Sequence, residues 1–500
     1  MPRVGWVKPQ SDQRLADHVA VGVLTRTFPA SLVDAAVAAA GKAEQRHRLL
    51  PARLVVYYVL ALALFADSGY EEVMRNLVEG LSYQTGWKSS WDVPTKGAIS
   101  QARARLGFAP LKECFDRACV PMATESTSGA FYRGLRLMAI DGTNLDVPDT
   151  AANDEEFGRP TAARGEGSAF PQVRMVGLGE CGTHALCGIA IGPYETGENT
   201  LALELVRSVK AGILLLADRG FGGSYQLFAA MAATGADLLW RVKSSAVLPV
   251  LERFDDGSHR SELIINDDKR RKLKVLSVRV IVYEIDDPGR SQGEETTYRL
   301  VTTILDPSRA PADELAGLYP ERWEFETLLD ELKTHQRGPK VVLRSKNPEG
   351  VRQEIYGYVC THYAIRALMN EVAGQGGLDP DRVSFTRSLR AARRSVRAGI
   401  GTSTRAIGET LLAVIVEIGR ELLPERRLRA AGRIVKHKMS KFGVKRAVHR
   451  NWPRPTKRAG EGIRVLAALG QPPKRLHSAG APTSGFSLRR PSDPTLSCRC

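Results

Sequence analysis

Leu318-Tyr-Pro-Glu-Arg-Trp-Glu-Phe-Glu-Thr-Leu-Leu-Asp-Glu-Leu-Lys333 places Tyr319, Arg322, Glu326 and Lys333 on one narrow stripe of a helix. At about 3.6 residues per turn the four fall near 0°, 300°, 340° and 320° around the axis. Phe325, Leu328, Leu329 and Leu332 occupy the neighbouring face, at about 180–280°, which suits burial. One carboxylate is therefore flanked by two long cations and a phenol along the edge of a core-facing helix. Such a set can hold a divalent ion and grip phosphates. It can equally be a solvated face with i,i+4 ion pairs such as Arg322 with Glu326. The stripe alone leaves both readings open.

Two acids elsewhere favour the first. Leu135-Arg-Leu-Met-Ala-Ile-Asp-Gly-Thr-Asn144 reads as a strand delivering Asp141 at its tip, with Gly142 freeing a turn. Ile213-Leu-Leu-Leu-Ala-Asp-Arg-Gly-Phe221 reads as a strand buried on both faces, then Asp218, a turn and a helix. Each Asp by itself could be a turn or capping residue. Asp146 and Asp149 close no apolar strand. Glu324 and Glu331, at about 140° and 120°, lie away from the cation stripe. Asp141, Asp218 and Glu326 are the set expected to converge.

These segments resemble bacterial insertion-sequence transposases of the DDE class, in the subgroup named after insertion sequence four. The likeness rests on Ala139-Ile-Asp-Gly-Thr143, on Leu214-Leu-Leu-Ala-Asp-Arg-Gly-Phe221 and on the spacing Tyr-x2-Arg-x3-Glu-x6-Lys, met without gap at 319, 322, 326 and 333. Arg344-Ser-Lys346 and Pro348-Glu-Gly-Val-Arg-Gln-Glu354 resemble the stretch that trails this signature, and the likeness runs from about residue 20 to about residue 455. The resemblance implies a ribonuclease-H-like α/β core, with a mixed sheet and a β-rich insertion before the helix bearing the Glu. It implies a helical N-terminal DNA-binding domain, and Asp141, Asp218 and Glu326 as both catalytic residues and metal ligands. It further implies cut-and-paste transposition: hydrolysis at the element's ends, then 3′-hydroxyl attack on target DNA. Partners would be double-stranded DNA, at terminal inverted repeats and at the target, bound by a homodimer. Two rivals stay open, a metal-dependent nuclease of the same core without strand transfer and an inactive, transposase-derived DNA-binding protein.

The chemistry asks for the same residues. Two Mg2+ ions, with Mn2+ able to substitute, can clamp the attacking and leaving oxygens of a phosphodiester, and carboxylates are the ligands that Mg2+ prefers. Arg322 and Lys333 would neutralise neighbouring phosphates, Tyr319 would hydrogen-bond another, and Arg344 and Lys346 would touch the DNA backbone.

At 500 residues, 43% hydrophobic and 25% charged, the chain reads as a soluble globular protein of several domains. Its longest apolar run, Leu54 to Ala66, has 13 residues, against the roughly 20 that a membrane-spanning helix needs. No signal-peptide core follows Met1, so a cytoplasmic protein on the bacterial nucleoid, away from the membrane, is expected. Seven cysteines form no paired CxxC set, which argues against zinc and against a disulfide framework.

The net charge of +16 is unevenly placed. Residues 426–500 carry 19 Lys or Arg against Glu461 and Asp493, whereas residues 1–425 hold 52 bases and 53 acids. The basic end should attract polyanions without sequence preference and remain disordered.

The periodicities divide the chain into a helical N-terminal DNA-binding domain (1–125), the catalytic domain (126–375, with the insertion at about 243–306), a helical C-terminal region (376–455) and a basic tail (456–500). Within the first, Val93 to Gly107 reads as a small-residue helix with Lys96, Arg103 and Arg105 exposed, fit either for a major groove or for an ordinary bundle. Strands are expected at 134–141, 172–179, 184–191, 212–218 and 236–242.

Overall fold

Five strands carry the centre of the molecule: β1 (Leu135–Asp146), β2 (Gln172–Glu180), β3 (Leu186–Pro193), β4 (Ile213–Ala217) and β5 (Asp237–Arg241). The computed structural model describes residues 22–45, 48–84, 93–160, 168–266, 272–287, 297–338, 342–397, 404–424, 446–447, 456–457 and 461–467. Strand β1 runs antiparallel to β2 and parallel to β4, which is parallel to β5, while β3 pairs antiparallel with β2. Beyond β5 the expected insertion adds β6 (His259–Asn266), β7 (Lys272–Ile285) and β8 (Thr297–Thr302) to the same sheet. The order is β3-β2-β1-β4-β5-β8-β7-β6.

Burial follows the alternation of side chains along each strand. Leu137 and Ala139 of β1, with Leu214 and Leu216 of β4, face a large core shared with the N-terminal helices and with helix Pro348–Gly376. Met138, Ile140, Leu215 and Ala217 face a second core, closed by helices Glu198–Glu204 and Tyr225–Ala232. Being buried on both faces, β4 is apolar throughout, as the sequence suggested.

Helix Pro348–Gly376 is the long strut. Asn347 caps its start by accepting from the Gly350 N–H at 2.8 Å, Pro348 occupies the first turn, and Gly377 ends it in the left-handed conformation. It packs on helix Ala52–Leu64, where a Cβ on Gly357 would meet Val59 Cγ1 at 2.8 Å. Among the described residues no helix is long and apolar enough to cross a membrane.

Two expectations need correction. Strand β1 does not stop at Asp141: it pairs with β2 as far as Asp146, and Gly142 is a strand residue opposite Val176. Only its parallel partner ends there, since the last pair with β4 is Ile140 with Ala217. The basic tail is not wholly unstructured, because Ile463–Val465 adds a short strand to β7 and Asp287 accepts from the backbone N–H groups of Thr456 and Lys457. Residues 468–500 lie outside those described.

Beneath the large core lies a buried ionic cluster. His184, at the tip of the β2–β3 hairpin, meets Glu324 at 2.5 Å and lies 3.5 Å from both Glu331 and Asp381. His362 and Arg366 meet Glu331 at 3.1 and 3.3 Å. Burial and Arg366 oppose charging of His184, but Glu331 and Glu324 outweigh them and hold its imidazole up at about 9. A folded-state value above the ordinary 6.5 or so means stability that is complete below about pH 6.5 and lost as pH rises through about 9. The melting temperature of the protein is therefore expected to fall between pH 7 and 9.5. In His184→Asn that decline should flatten; an equally steep decline in the variant would contradict this source of stability.

Candidate active site

The signature segment is not one regular helix. A 3₁₀ turn spans Tyr319–Arg322, an α-helix Trp323–Asp330 and a π-helical stretch Glu331–Gln336. Pro320 has no N–H to give an α-helical ladder, which suits the tighter opening turn. The segment lies across β1 and β2 on the large-core side. Its anchor is Phe325: a Cβ on Gly177 would meet the ring's Cζ at 2.8 Å, and one on Gly179 would meet its Cε2 at 2.9 Å. Glycine in a strand marks such a close approach. This Gly-Leu-Gly was overlooked in the sequence, although two glycines on one strand face were its signal.

Gly179→Ala should lever the helix off the sheet. Overpacking of this kind costs about 1–3 kcal/mol. The expected outcome is a lower melting temperature and slower DNA cleavage with DNA binding retained; wild-type values of both would contradict the wedge.

Asp141 and Asp218 become neighbours through strand register. Because Ile140 pairs with Ala217, the next residues are Asp141, still within β1, and Asp218, the first residue past the end of β4, on strands that run about 4.8 Å apart. By alternation both belong to the face that receives the signature helix. The Gly142 N–H donates to Asp141 Oδ1 at 2.7 Å, and the Gly220 N–H to Asp218 Oδ1 at 2.8 Å. Glu326 joins them through Arg322, whose guanidinium lies 3.4 Å from Asp141 Oδ2 and 3.0 Å from Glu326 Oε1. Burial raises the Asp141 carboxyl most, Arg322 lowers it, and Asp218 raises it again, for a net value of about 7.

Asp141 and Glu326 thus share one guanidinium, and Asp218 lies beside Asp141. This all-oxygen, electron-rich set fits a hard divalent cation. A cavity of about 160 Å3 opens beside them, lined by Asp218, Arg241, Tyr283, Tyr298, Arg322 and Trp323.

The other expected site residues divide. Lys333 is brought to the site, its Nζ donating to Thr143 Oγ1 at 2.8 Å. Thr143, two residues beyond Asp141 on the same strand face, was not singled out from the sequence. Tyr319 is also close, but buried: its hydroxyl donates to the Ala217 carbonyl at 3.3 Å and is pushed up to about 12 by burial. It braces the strand under Asp218 instead of facing a phosphate. Arg322 is only 9% exposed and is engaged with carboxylates.

Arg103 is buried, not exposed. It bonds Gln353 Oε1 at 2.8 Å, the Tyr70 hydroxyl at 2.8 Å and Ser345 Oγ at 3.1 Å, fastening its helix to helix Pro348–Gly376. Arg344 acts likewise, donating to the carbonyls of Ser68, at 2.8 Å, and Ala66. Arg105 is exposed and donates to the Leu50 carbonyl at 2.8 Å, and Lys346 is exposed. Spacing could not separate these fates, because an inward and an outward arginine look alike when small residues surround both.

Known proteins share much of this chain. Residues 18–116 match the family model described as the insertion element 4 transposase N-terminal region, and residues 132–363 match that of the transposase DDE domain. The second match contains Asp141, Asp218 and Glu326. The transposase InsG for insertion sequence element IS4, from Escherichia coli strain K12, is 29% identical over 415 residues, covering 82% of this chain and 91% of that protein. The putative transposase InsZ of the same organism is 25% identical over 221 residues, 44% of this chain and 71% of the relative. Among solved structures, a piggyBac transposase synaptic complex with hairpin DNA aligns over 78% of this chain and 84% of its own, with a TM-score of 0.41 and 10% identity.

Proposed function

This chain belongs to the DDE transposases of the insertion-sequence-four family, and we propose that Asp141, Asp218 and Glu326 are the carboxylates with which it cuts DNA. One observation carries the assignment: the register Ile140 to Ala217 sets the two aspartates side by side, and a single guanidinium ties Glu326 to the first of them. The chain is an insertion-sequence transposase, a DNA-cleaving enzyme of a divalent-metal-dependent class.

We read the core as ribonuclease-H-like. Support comes from the order β3-β2-β1-β4-β5, with only β2 running against the other four. Its first strand and the end of the next parallel strand carry the two aspartates. Asp141, Asp218 and Glu326 would hold a pair of Mg2+ ions, for which Mn2+ can substitute; when bound these supply charge relief at the phosphorus and at the attacking and leaving oxygens.

The residues themselves do the rest. Asp141, whose carboxyl burial raises to about 7, would have to be deprotonated to serve as a ligand. Arg322 keeps Asp141 and Glu326 at a shared distance. Lys333, steadied by Thr143, is placed to meet a phosphate next to the scissile one. Arg241, stacked 4.5 Å over Tyr298, gives the cavity beside Asp218 a cationic and aromatic wall suited to a nucleotide. Exposed Lys346 and Arg105 supply backbone contacts farther out. The partner is double-stranded DNA, held as two element ends by a homodimer and then joined to target DNA.

The test is incubation of the protein and Mg2+ with supercoiled DNA carrying the inverted repeats that flank its gene, followed by sequencing of the products. Cut ends joined to new sites are expected. Cut ends that never join would leave a nuclease, and uncut DNA on which the protein still binds would leave an inactive relative.

A further inference from the structure

We propose that His184 is a positioning residue for Glu326, holding the signature helix from behind so that the carboxylate stays in register with Asp141. The inference rests on Glu326 being a site carboxylate.

Glu324 and Glu331 lie seven positions apart and bracket Glu326 in sequence. Both are buried, on the side of the helix away from the site. One imidazole reaches both: His184 Nε2 is 2.5 Å from Glu324 Oε2, and Nδ1 is 3.5 Å from Glu331 Oε1. The helix is thereby gripped on either side of Glu326 from the hairpin tip. The remaining contacts lock the same element from other directions, with Phe325 wedged over Gly177 and Gly179 and Arg322 tied to Asp141. Three anchors on different sides of a helix fix its rotation and its height.

The backbone at His184 supports a dedicated role. Its φ of 54° lies in the left-handed region, which residues other than Gly seldom adopt, although Asn, Asp and His are enriched there. Such a conformation persists where the surroundings over-determine it, and it is found at functional sites. The π-helical stretch that begins at Glu331 is a second irregularity at the same contact, and it sets the phase of Lys333.

A metal ion bound by His184, Glu324 and Asp381, whose ligand atoms lie within 4.8 Å of one another, is the competing account. The 2.5 Å contact between ring and carboxylate is the length of a hydrogen bond, leaving no room for an ion between them. The Arg366 guanidinium, 3.9 Å from Asp381, already supplies a cation. Removing the ring would take from Glu324, Glu331 and Asp381 the one imidazole within 3.5 Å of all three, and the helix would lose its rear anchor.

The test uses the full-length protein with His184→Asn, since Asn tolerates the left-handed backbone. Asp381→Asn, at the edge of the cluster and 3.5 Å from the ring, serves should the first variant not fold. Readouts are Mn2+ affinity without DNA, end-DNA binding, melting temperature, and cleavage as a function of Mn2+. Losing an outer partner typically weakens a metal site by roughly 10–100-fold. That loss in Mn2+ affinity is expected, with end-DNA binding unchanged and cleavage recovering at high Mn2+. A role confined to stability would lower the melting temperature and leave Mn2+ affinity at the wild-type value, which overturns the proposal. Glu326→Gln is measured in parallel. If it loses Mn2+ while both cluster variants keep it, only the positioning role falls; if it binds Mn2+ as tightly as wild type, the assignment of Glu326 falls first.

Discussion

Asp218→Ala is expected to bind end DNA at wild-type strength and to leave both strands intact in Mg2+, and Asp141→Ala and Glu326→Ala to do the same. This is the largest effect expected. Each substitution removes one carboxylate of the proposed set, in which Arg322 ties Glu326 to Asp141 and strand register sets Asp218 beside it. Asp146 is the nearest alternative along β1. Yet its Oδ1 accepts from Gln172 Nε2 at 2.7 Å, five residues farther along the strand than Asp141. The loss should exceed by far the roughly 10–100-fold that follows removal of an outer partner. Binding should survive because affinity for DNA comes chiefly from phosphate contacts with cations, none of which is deleted. The measurement is a gel-shift titration beside a cleavage time course. Normal cleavage by purified Asp218→Ala would refute the assignment.

Arg322→Ala should show the second largest effect, with a dependence on metal that the first set lacks. Arg322 is nearly buried and is the counter-ion for Asp141 and Glu326. Breaking a buried pair by deleting one partner costs on the order of 3–5 kcal/mol, with the lower end applying here because Glu326 is about half exposed and can rehydrate. Without divalent ions the variant should therefore melt well below the wild type. Mg2+ should recover more stability in it than in the wild type, because ligand binding stabilises the fold that holds it. Cleavage should still fall, since nothing then spaces Asp141 from Glu326. Arg322→Lys should rescue only in part, as an ammonium cannot fork between two carboxylates. Melting curves with and without Mg2+ decide the matter; identical curves for Arg322→Ala and wild type would show that the guanidinium is not the counter-ion.

The contrast between Arg322 and Arg103 shows how far the sequence reaches. Both sit among small or apolar residues on short helices and both read as DNA contacts. In the fold each is buried and engaged with the protein, one with the site carboxylates and the other with Gln353 and Ser345. Helical phase at 100° per residue says which way a side chain leaves its own helix, not what the chain later packs there. The signature segment makes the same point, because its wheel treats as uniform what is folded as a 3₁₀ turn, an α-helix and a π-helical stretch. Lys333 reaches Thr143 nonetheless, since the whole segment faces β1.

By itself the sequence determined the family, the α/β alternation and the fully buried β4, and it singled out the three acids proposed for the site. Each of these rests on residue type and on spacing along one element, which local physics governs. Tertiary structure alone decided that Asp141 lies within a strand instead of at its tip, because the strand's end depends on how far β2 continues to pair with it. It decided too that His184, Glu324 and Glu331 form one buried cluster. Those residues are separated by up to 147 positions in the chain, and only the packing of the hairpin tip against the back of the signature helix gives their charges a common partner.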